Sequence, residues 1–151
     1  MHAGHSYMKS ALELARKAFD EGEVPVGAVI VDAATNKIIA EGYNQCEARC
    51  NATHHAEILA ITEACRIKQN KFLEGCHMYV TLEPCLMCAT AISYARISRI
   101  YYGAADHKFG AIENGPRIFC GKGILYKPEI YSGIMADEGA LLMKDFFKAL
   151  R

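Results

Sequence analysis

The sequence lacks the features that direct proteins into membranes or out of the cell. It has no apolar stretch of about 18 residues or more, the length that a membrane-spanning helix needs. Its N-terminus lacks the basic-then-apolar pattern of a secretory signal. Its seven cysteines are an odd, scattered set, unlike the dense framework of a small secreted protein. We therefore expect a cytoplasmic protein with reduced thiols and no membrane association.

An excess of charge of either sign is also missing. Seventeen basic residues balance seventeen acidic residues, so the formal net charge is zero. Without net charge there is no overall field to draw the protein onto nucleic acid or anionic membranes, and an RNA partner would have to bind a local patch. The 151 residues, with 52% hydrophobic content, suffice for one core and not for two. We expect a single domain over residues 1–151.

Apolar periodicity and turn residues predict helices that alternate with strands. The predicted strands cover residues 24–31, 37–43, 78–82 and 98–102, with a short one at 130–131, and the predicted helices cover 7–19, 54–69, 84–95 and 136–150. Ser6 is expected to cap the first helix, Gly22 to end it, and Thr53 or Asn51 to cap the second. This alternation predicts an α/β fold with helices on both faces of a mixed sheet.

Two predicted helices have a clear apolar face that should pack into the core. In the second helix this face consists of Ile58, Leu59, Ile61, Thr62 and Cys65. In the final helix it consists of Leu141, Leu142, Phe146 and Leu150. We expect both faces to pack against the sheet.

Two short motifs carry the predicted chemistry. Cys85 and Cys88 follow Pro84 at a helix start, where both sulfurs point to one side and unpaired N–H groups favour thiolates. Two buried small residues or a redox dithiol would explain such a cysteine pair about as often as a metal. His55 and Glu57 lie at the head of the preceding helix, and both helix starts are expected at the carboxyl edge of neighbouring strands. The combination is much rarer by chance than either motif alone.

The number of ligands favours a catalytic metal. His55, Cys85 and Cys88 give three zinc ligands, and catalytic zinc has three protein ligands plus water, whereas structural zinc has four. Two thiolates weaken the Lewis acidity of the ion, so a nearby base is needed. Glu57 can accept a proton from the water, protonate a ring nitrogen and later protonate departing ammonia. We expect hydrolytic deamination of an aromatic amine, with one Zn²⁺ per subunit and no organic cofactor.

Seven segments spread along the chain carry a family resemblance. They are residues 23–28, 42–44, 55–57, 79–88, 106–108, 133–138 and 145–147. On these segments the sequence resembles the cytidine-deaminase-like superfamily, and within it the bacterial tRNA-specific adenosine deaminases. The resemblance implies a three-layer α/β/α sandwich with a central mixed five-stranded sheet. It also implies that a homodimer converts the wobble adenosine of an arginine tRNA to inosine.

The same resemblance implies roles for residues around the metal. Asn44 would hydrogen-bond the flipped base, Val26 would line its pocket, and the backbone of Ala56 would meet the oxygen bound to zinc. Asp106 would contact the neighbouring ribose, and Lys108 with the last helix would contact phosphates of the tRNA anticodon stem-loop. Judged without the family, Asp106 would be read first as a turn-capping residue, and Asn44 equally well as a turn residue.

The sequence departs from the family pattern at two places. Residues 51–54, Asn51-Ala52-Thr53-His54, stand where the family commonly has Asp-Pro-Thr-Ala, and Phe109 stands where a small or hydroxyl residue is usual. Neither place includes a predicted metal ligand. Both departures can reshape the mouth of the substrate site.

Two other functions remain open. A deaminase of a free base or nucleotide, such as guanine, cytosine or deoxycytidylate, would share the zinc core. Against it, the last helix carries basic and aromatic residues that suit a polynucleotide: Lys144, Phe146, Phe147, Lys148 and Arg151. A structural zinc module without turnover would need a fourth ligand from Cys46, Cys50, Cys76 or Cys120. That alternative leaves Glu57 without a role.

Overall fold

The computed structural model describes residues 3–124 and 126–151. The helices are α1 (Ala3–Asp20), α2 (Ala56–Lys68), α3 (Leu86–Tyr94) and α4 (Ala136–Ala149). The strands are β1 (Gly27–Asp32), β2 (Lys37–Tyr43), β3 (Cys76–Leu82), β4 (Arg99–Ala104) and β5 (Glu129–Tyr131), and a short 3-10 helix covers Ile118–Cys120. Every predicted helix and strand is present, although the ends differ. None of the helices in the described ranges is long and apolar enough to cross a membrane.

The five strands form one mixed sheet in the order β2-β1-β3-β4-β5. Strand β1 is antiparallel to both of its neighbours, whereas β3, β4 and β5 run parallel. Strand β2 is therefore parallel to β3 but separated from it by β1. This corrects the expectation that α2 and α3 start from neighbouring strands. Both helices still start at the same edge of the sheet, where β1 begins.

Alternate residues of the strands face two separate apolar layers. Ala28 and Ile30 of β1 belong to the cluster that includes α2 and α3, whereas Val29 and Val31 belong to the cluster that includes α1. Helices α1 and α4 contact each other on one face of the sheet, and α2 and α3 contact each other on the other face. The predicted three-layer α/β/α sandwich is confirmed.

Helix α2 packs unusually close to the sheet. Its buried apolar residues are Ala56, Ala60 and Ala64, whereas the predicted face is only partly buried and Thr62 is exposed. A Cβ added at Gly42 of β2 would overlap the carbonyl oxygen of Ala56 and would lie 2.8 Å from the backbone nitrogen of Ala60. Ile61 and Cys65 of the predicted face pack against the core, but the three alanines lie closest to the sheet because small residues let the two backbones touch here.

The predicted helix caps were wrong. Ser6 lies inside α1, and neither Thr53 nor Asn51 caps α2. Asn51 Oδ1 instead accepts hydrogen bonds from the backbone N–H and the hydroxyl of Thr53. The first N–H of α2, at Ala56, donates to Asn44 Oδ1 over 2.8 Å. The cap comes from the end of β2, and no local sequence pattern signals such a distant partner.

Strand β1 begins three residues later than predicted. Pro25 has no N–H to give to a neighbouring strand, and the N–H of Val26 donates to the carbonyl oxygen of Val24 over 2.8 Å. Regular pairing therefore starts only at Gly27, opposite Tyr43. Gly22, with a φ of 79°, follows the end of α1 as predicted.

Helix α4 buries only half of its predicted apolar face. Leu142 and Phe146 are buried, and the Phe146 ring packs against Phe19 of α1 with 5.8 Å between the ring centroids. Leu141 and Leu150 were expected in the core but are 57% and 68% exposed. Leu150 instead lines a large cavity beside the predicted metal site.

Candidate active site

His55, Cys85 and Cys88 bring three metal-binding atoms together. His55 immediately precedes α2, Cys85 immediately precedes α3, and Cys88 lies in the first turn of α3. His55 Nδ1 lies 3.7 Å from Cys85 Sγ and 3.4 Å from Cys88 Sγ. All three ligand atoms lie within 4.8 Å of one another. The structure brings together the three residues that the sequence predicts as ligands.

The separations fit a tetrahedral zinc ion. Zinc–sulfur bonds of about 2.3 Å and zinc–nitrogen bonds of about 2.0 Å place sulfur and nitrogen about 3.5 Å apart. Within the described ranges, the cluster contains no fourth His, Cys, Asp or Glu. The donor set therefore resembles catalytic zinc sites, which have three protein ligands. It opposes the structural-module alternative, because none of the other cysteines joins the cluster.

Cys85 lies in an environment that favours its thiolate. A hydrogen bond with Cys88, together with the contact to His55, lowers the pKa of the Cys85 thiol to about 4. The same contact raises the pKa of His55. Cys85 also stands at the N-terminus of α3, where unpaired N–H groups stabilise negative charge. Zinc binds the thiolate, so Cys85 is ready for the ion, whereas His55 and Cys88, whose pKa values are raised by Cys85, must release a proton when zinc binds.

Glu57 is a buried carboxyl group beside the three ligands. It is the second residue of α2, is 4% exposed and lines the same cavity as His55 and Cys85. Burial raises the pKa of Glu57 to about 7. A carboxyl group with a pKa near neutral can accept a proton in one step and donate it in the next. Glu57 therefore has the properties of a general acid and base.

A cavity of about 1040 Å³ adjoins these residues. Val26 and Asn44 are buried in its wall, and Asp106 and Lys108 also line it, so four predicted substrate-binding residues share one space. Ala56 does not line the cavity, and its N–H donates to Asn44 Oδ1. The predicted contact between the Ala56 backbone and a zinc-bound oxygen stays a prediction, as do the individual roles of the other four residues.

Glu83 is a functional residue that the sequence analysis missed. Its carboxylate, 2% exposed, accepts hydrogen bonds from four backbone N–H groups, at residues 106, 112, 113 and 114, and from the Asn114 side chain. Burial opposes its ionisation, yet these hydrogen bonds hold the pKa of Glu83 below its usual value. The only signal in the sequence is an acidic residue between a buried strand and the cysteine motif. Glu83 thereby holds the loop of residues 105–114 against the metal site.

A second buried carboxylate anchors the segment between Asn44 and His55. Glu23, 3% exposed, accepts hydrogen bonds from the backbone N–H groups of Glu47 and Ala48 over 3.0 and 2.9 Å. The loop of residues 45–54 is therefore tied to the segment that precedes β1. The departures at 51–54 lie in this loop and are largely exposed.

Asp106 organises a turn at the wall of the cavity. Its Oδ1 accepts hydrogen bonds from the backbone N–H groups of Lys108 and Phe109 over 3.0 and 2.9 Å. The turn-capping role considered for Asp106 is therefore present. Lys108 Nζ lies 5.1 Å from the centroid of the Phe109 ring, and both side chains line the cavity. Contact between Asp106 and a ribose remains a prediction.

Comparison with known proteins identifies the family. Residues 1–104 match the cytidine and deoxycytidylate deaminase zinc-binding region, a range that includes His55, Glu57, Cys85 and Cys88. The chain belongs to this family of zinc-dependent deaminases. It is 55% identical over 144 residues to a tRNA-specific adenosine deaminase of Rickettsia bellii (strain RML369-C), across 95% of this chain and 99% of that relative. The deaminase is accordingly a zinc-dependent hydrolase with one zinc per subunit.

Solved structures share the fold of this deaminase. One comes from biochemical and structural studies of A-to-I editing by tRNA:A34 deaminases at the wobble position of transfer RNA. It superposes with a TM-score of 0.88 at 44% identity, covering 91% of this chain and 98% of that chain. A guanine deaminase from Bacillus subtilis superposes with a TM-score of 0.64 at 34% identity, covering 81% of this chain and 76% of that chain. The predicted deaminase fold is confirmed.

Proposed function

We propose that this deaminase converts the wobble adenosine of a tRNA anticodon loop to inosine, with an arginine tRNA as substrate. The observation that carries the proposal is the likeness, over 95% of the chain, to a relative named tRNA-specific adenosine deaminase. That likeness extends well past residue 104, so it includes the 105–114 loop and most of α4 as well as the zinc-binding region. Single-stranded loops suit such an enzyme because their bases can leave the stack and enter a cavity.

The residues of the site account for the chemistry. His55, Cys85 and Cys88 would hold the zinc ion, which when bound supplies the Lewis acidity that makes water a nucleophile at neutral pH. The Glu57 carboxylate takes a proton from the attacking water and passes it to N1 of adenine while the oxygen bonds to C6. Glu57 then carries the second proton of the water to the 6-amino group. The C6–N bond breaks, ammonia leaves and inosine remains.

Deamination of free guanine is the second candidate. The guanine deaminase of Bacillus subtilis supports it, since it is 34% identical to this chain. The identity is lower, however, at 34% over 81% of this chain, against 44% over 91% of this chain for the tRNA:A34 deaminase structure. The cavity is also open towards exposed side chains on the 105–114 loop and α4, whereas a small free base needs an enclosed pocket. The polynucleotide substrate is therefore better supported.

We further propose that the chain acts as one domain, in a homodimer, in the cytoplasm. Leu86 and Tyr94, at the two ends of α3, are 52% and 79% exposed, and exposed large apolar side chains are typical of contact surfaces. All seven cysteines are free, as expected for a reducing compartment. Sedimentation should give twice the chain mass for the native protein and the chain mass for Tyr94→Glu. A native protein with the mass of one chain contradicts the homodimer.

The deciding experiment measures inosine, xanthine and ammonia after incubation with three substrates, because deamination of guanine gives xanthine and not inosine. Zinc-loaded protein is given an arginine anticodon stem-loop with adenosine at the wobble position, free adenosine, and guanine. We expect inosine only in the stem-loop and only at that position, as detected by nuclease digestion and mass spectrometry. A stem-loop with guanosine at the wobble position is the matched control and should release no ammonia. Reaction of a free base alone would reject the tRNA substrate and leave the zinc chemistry intact.

A further inference from the structure

The cavity has an apolar outer part that the chemistry at the metal does not use. Its volume of about 1040 Å³ lies at the upper end of the range for ligand pockets, roughly 300–1000 Å³. Three large apolar side chains of its wall, outside the proposed dimer face, are exposed: Phe109 (64%), Phe147 (45%) and Leu150 (68%). Exposed apolar groups that cluster around one cavity mark a binding surface.

Phe109 is held in this wall by its backbone. Its N–H donates to Asp106 Oδ1 over 2.9 Å, and the N–H of Asp106 donates to Glu83 Oε1 over 3.1 Å. On the other side, a Cβ added at Gly110 would lie 2.6 Å from Glu83 Oε1, so the loop packs directly on that carboxylate. The Phe109 backbone is therefore anchored while its ring is exposed. Such a group loses little conformational freedom when a ligand stacks on it.

Charged groups beside Phe109 suit a polynucleotide. Lys108 Nζ lies 5.1 Å from the Phe109 ring centroid, and Arg151 lines the same cavity. The nearest carboxylate of the loop, Asp106, has its Oδ1 bound to backbone N–H groups. Aromatic rings flanked by cations bind single-stranded RNA, because bases stack on the ring while phosphates approach the cations.

We propose that Phe109 stacks against the nucleotide next to the deaminated adenosine and so favours a looped RNA over a free nucleoside. The inference rests on the proposed function, because it requires an RNA substrate. One cavity then holds two neighbouring bases, the reacting base beside Glu57 and its neighbour on Phe109. Stacking accepts any base, so Phe109 recognises the presence of a neighbour and not its identity.

The test compares Phe109→Ala and Phe109→Tyr with the native deaminase on the wobble stem-loop. We expect Phe109→Ala to raise KM about tenfold with kcat nearly unchanged, within the range that one base–aromatic stack contributes. Phe109→Tyr should retain the native KM, since tyrosine also stacks. Ile67→Ala is the matched control: it removes a 48% exposed apolar side chain of α2 outside the cavity and should leave KM unchanged.

Stem-loops with an abasic nucleotide on either side of the wobble position identify the stacked neighbour. On one of these two stem-loops the native deaminase should show a KM about as high as that of Phe109→Ala on the intact stem-loop. On that same abasic stem-loop Phe109→Ala should raise KM no further, because the ring and the missing base form one contact. The stacking role alone would be overturned if Phe109→Ala left KM unchanged. It would also be overturned if, on both abasic stem-loops, the rise in KM from Phe109→Ala multiplied the rise caused by the missing base. Absence of inosine from the native deaminase on the intact stem-loop would instead reject the proposed function, and the stacking role with it.

Discussion

Glu57 is the side chain that we propose to carry protons during turnover, because the deaminase needs one group that both accepts and donates them. It is buried beside His55 and Cys85, and its pKa is raised to about 7. None of the three ligand residues can take over this role while it binds zinc. Loss of proton transfer and loss of metal should therefore be separable by single substitutions.

Glu57→Gln should retain zinc and lose activity. Glutamine keeps the shape of the side chain but accepts no proton, so we expect inosine formation to fall by about 10²- to 10⁴-fold. Zinc content, measured by atomic absorption, should stay at one per chain. Glu63→Gln on the same helix is the control, because that carboxylate is half exposed and pairs only with Arg66. Native turnover by Glu57→Gln would reject the assigned mechanism.

Cys88→Ala should lose the metal. It removes one of three ligands from a cluster without a fourth among the described residues, so we expect little zinc after dialysis and a lower melting temperature. Cys65→Ala is the matched control, since the Cys65 thiol lies outside the cluster, packs against the core and donates a hydrogen bond to the carbonyl oxygen of Lys71. The control should keep one zinc per chain. Full zinc occupancy in Cys88→Ala would show that the ion binds elsewhere.

Sequence reasoning found the ligands but not the residues that hold the loops. His55, Cys85 and Cys88 were predictable because they lie in short motifs at helix starts, where spacing along the chain determines direction. The partners of Glu83 lie 23 to 31 residues further along, and Asn44 caps a helix 12 residues away. Such contacts depend on how loops fold back, which periodicity does not encode.

At the scale of elements, the contact between β2 and α2 sets the position of His55. Periodicity rules favour large apolar residues for the core, and the apolar face that they predict for α2 packs there only in part, through Ile61 and Cys65. The structure instead uses Ala56, Ala60 and Ala64 against Gly42. Element types were predictable from periodicity, whereas the distance between backbones depends on which small residues oppose each other in space.

Gly42→Ala should therefore weaken both the fold and metal binding. The added methyl group overlaps the Ala56 carbonyl and pushes α2 away from β2, at a cost of about 1–3 kcal/mol in the free energy of unfolding. Because His55 immediately precedes α2, zinc affinity should fall as well. Gly4→Ala in α1 is the control: its Cβ would lie 3.8 Å from the Tyr79 ring, and alanine should stabilise the helix by about 0.5–1 kcal/mol. Urea unfolding and zinc titration measure both effects.

Glu83→Gln should loosen the 105–114 loop. The new amide group would face backbone N–H groups, and each N–H left without an acceptor costs about 1–3 kcal/mol. We expect lower stability in urea and faster hydrogen exchange at residues 106–114. Glu74→Gln removes a surface ion pair with Arg96 and should change stability by less than about 1 kcal/mol. Unchanged exchange in Glu83→Gln would show that other contacts hold the loop.

For the whole molecule, the metal joins two helices of one layer. His55 precedes α2 and Cys85 precedes α3, so bound zinc connects segments 30 residues apart. Ligand binding to the folded state at 1000 times Kd adds about 4 kcal/mol. For a chain of this size that corresponds to roughly 10 °C in melting temperature.

Removal of zinc should lower the melting temperature by about that amount. Dialysis against a chelator, followed by calorimetry, measures the fall, and one equivalent of Zn²⁺ should restore the native value. Mg²⁺ is the control ion, because it prefers oxygen ligands and should restore nothing. Identical melting curves with and without zinc would mean that the ion adds no stability to the fold.

Different parts of the chain form the two sides of the cavity. The three candidate ligands and Glu57 lie at the starts of α2 and α3 on one face of the sheet, whereas most of the exposed wall comes from the 105–114 loop and from α4 on the other face. Mutations can therefore remodel the substrate side while the reactive centre stays intact. Phe109, Phe147 and Leu150 are exposed positions of that wall at which substitutions would alter nucleotide preference without replacing a metal ligand.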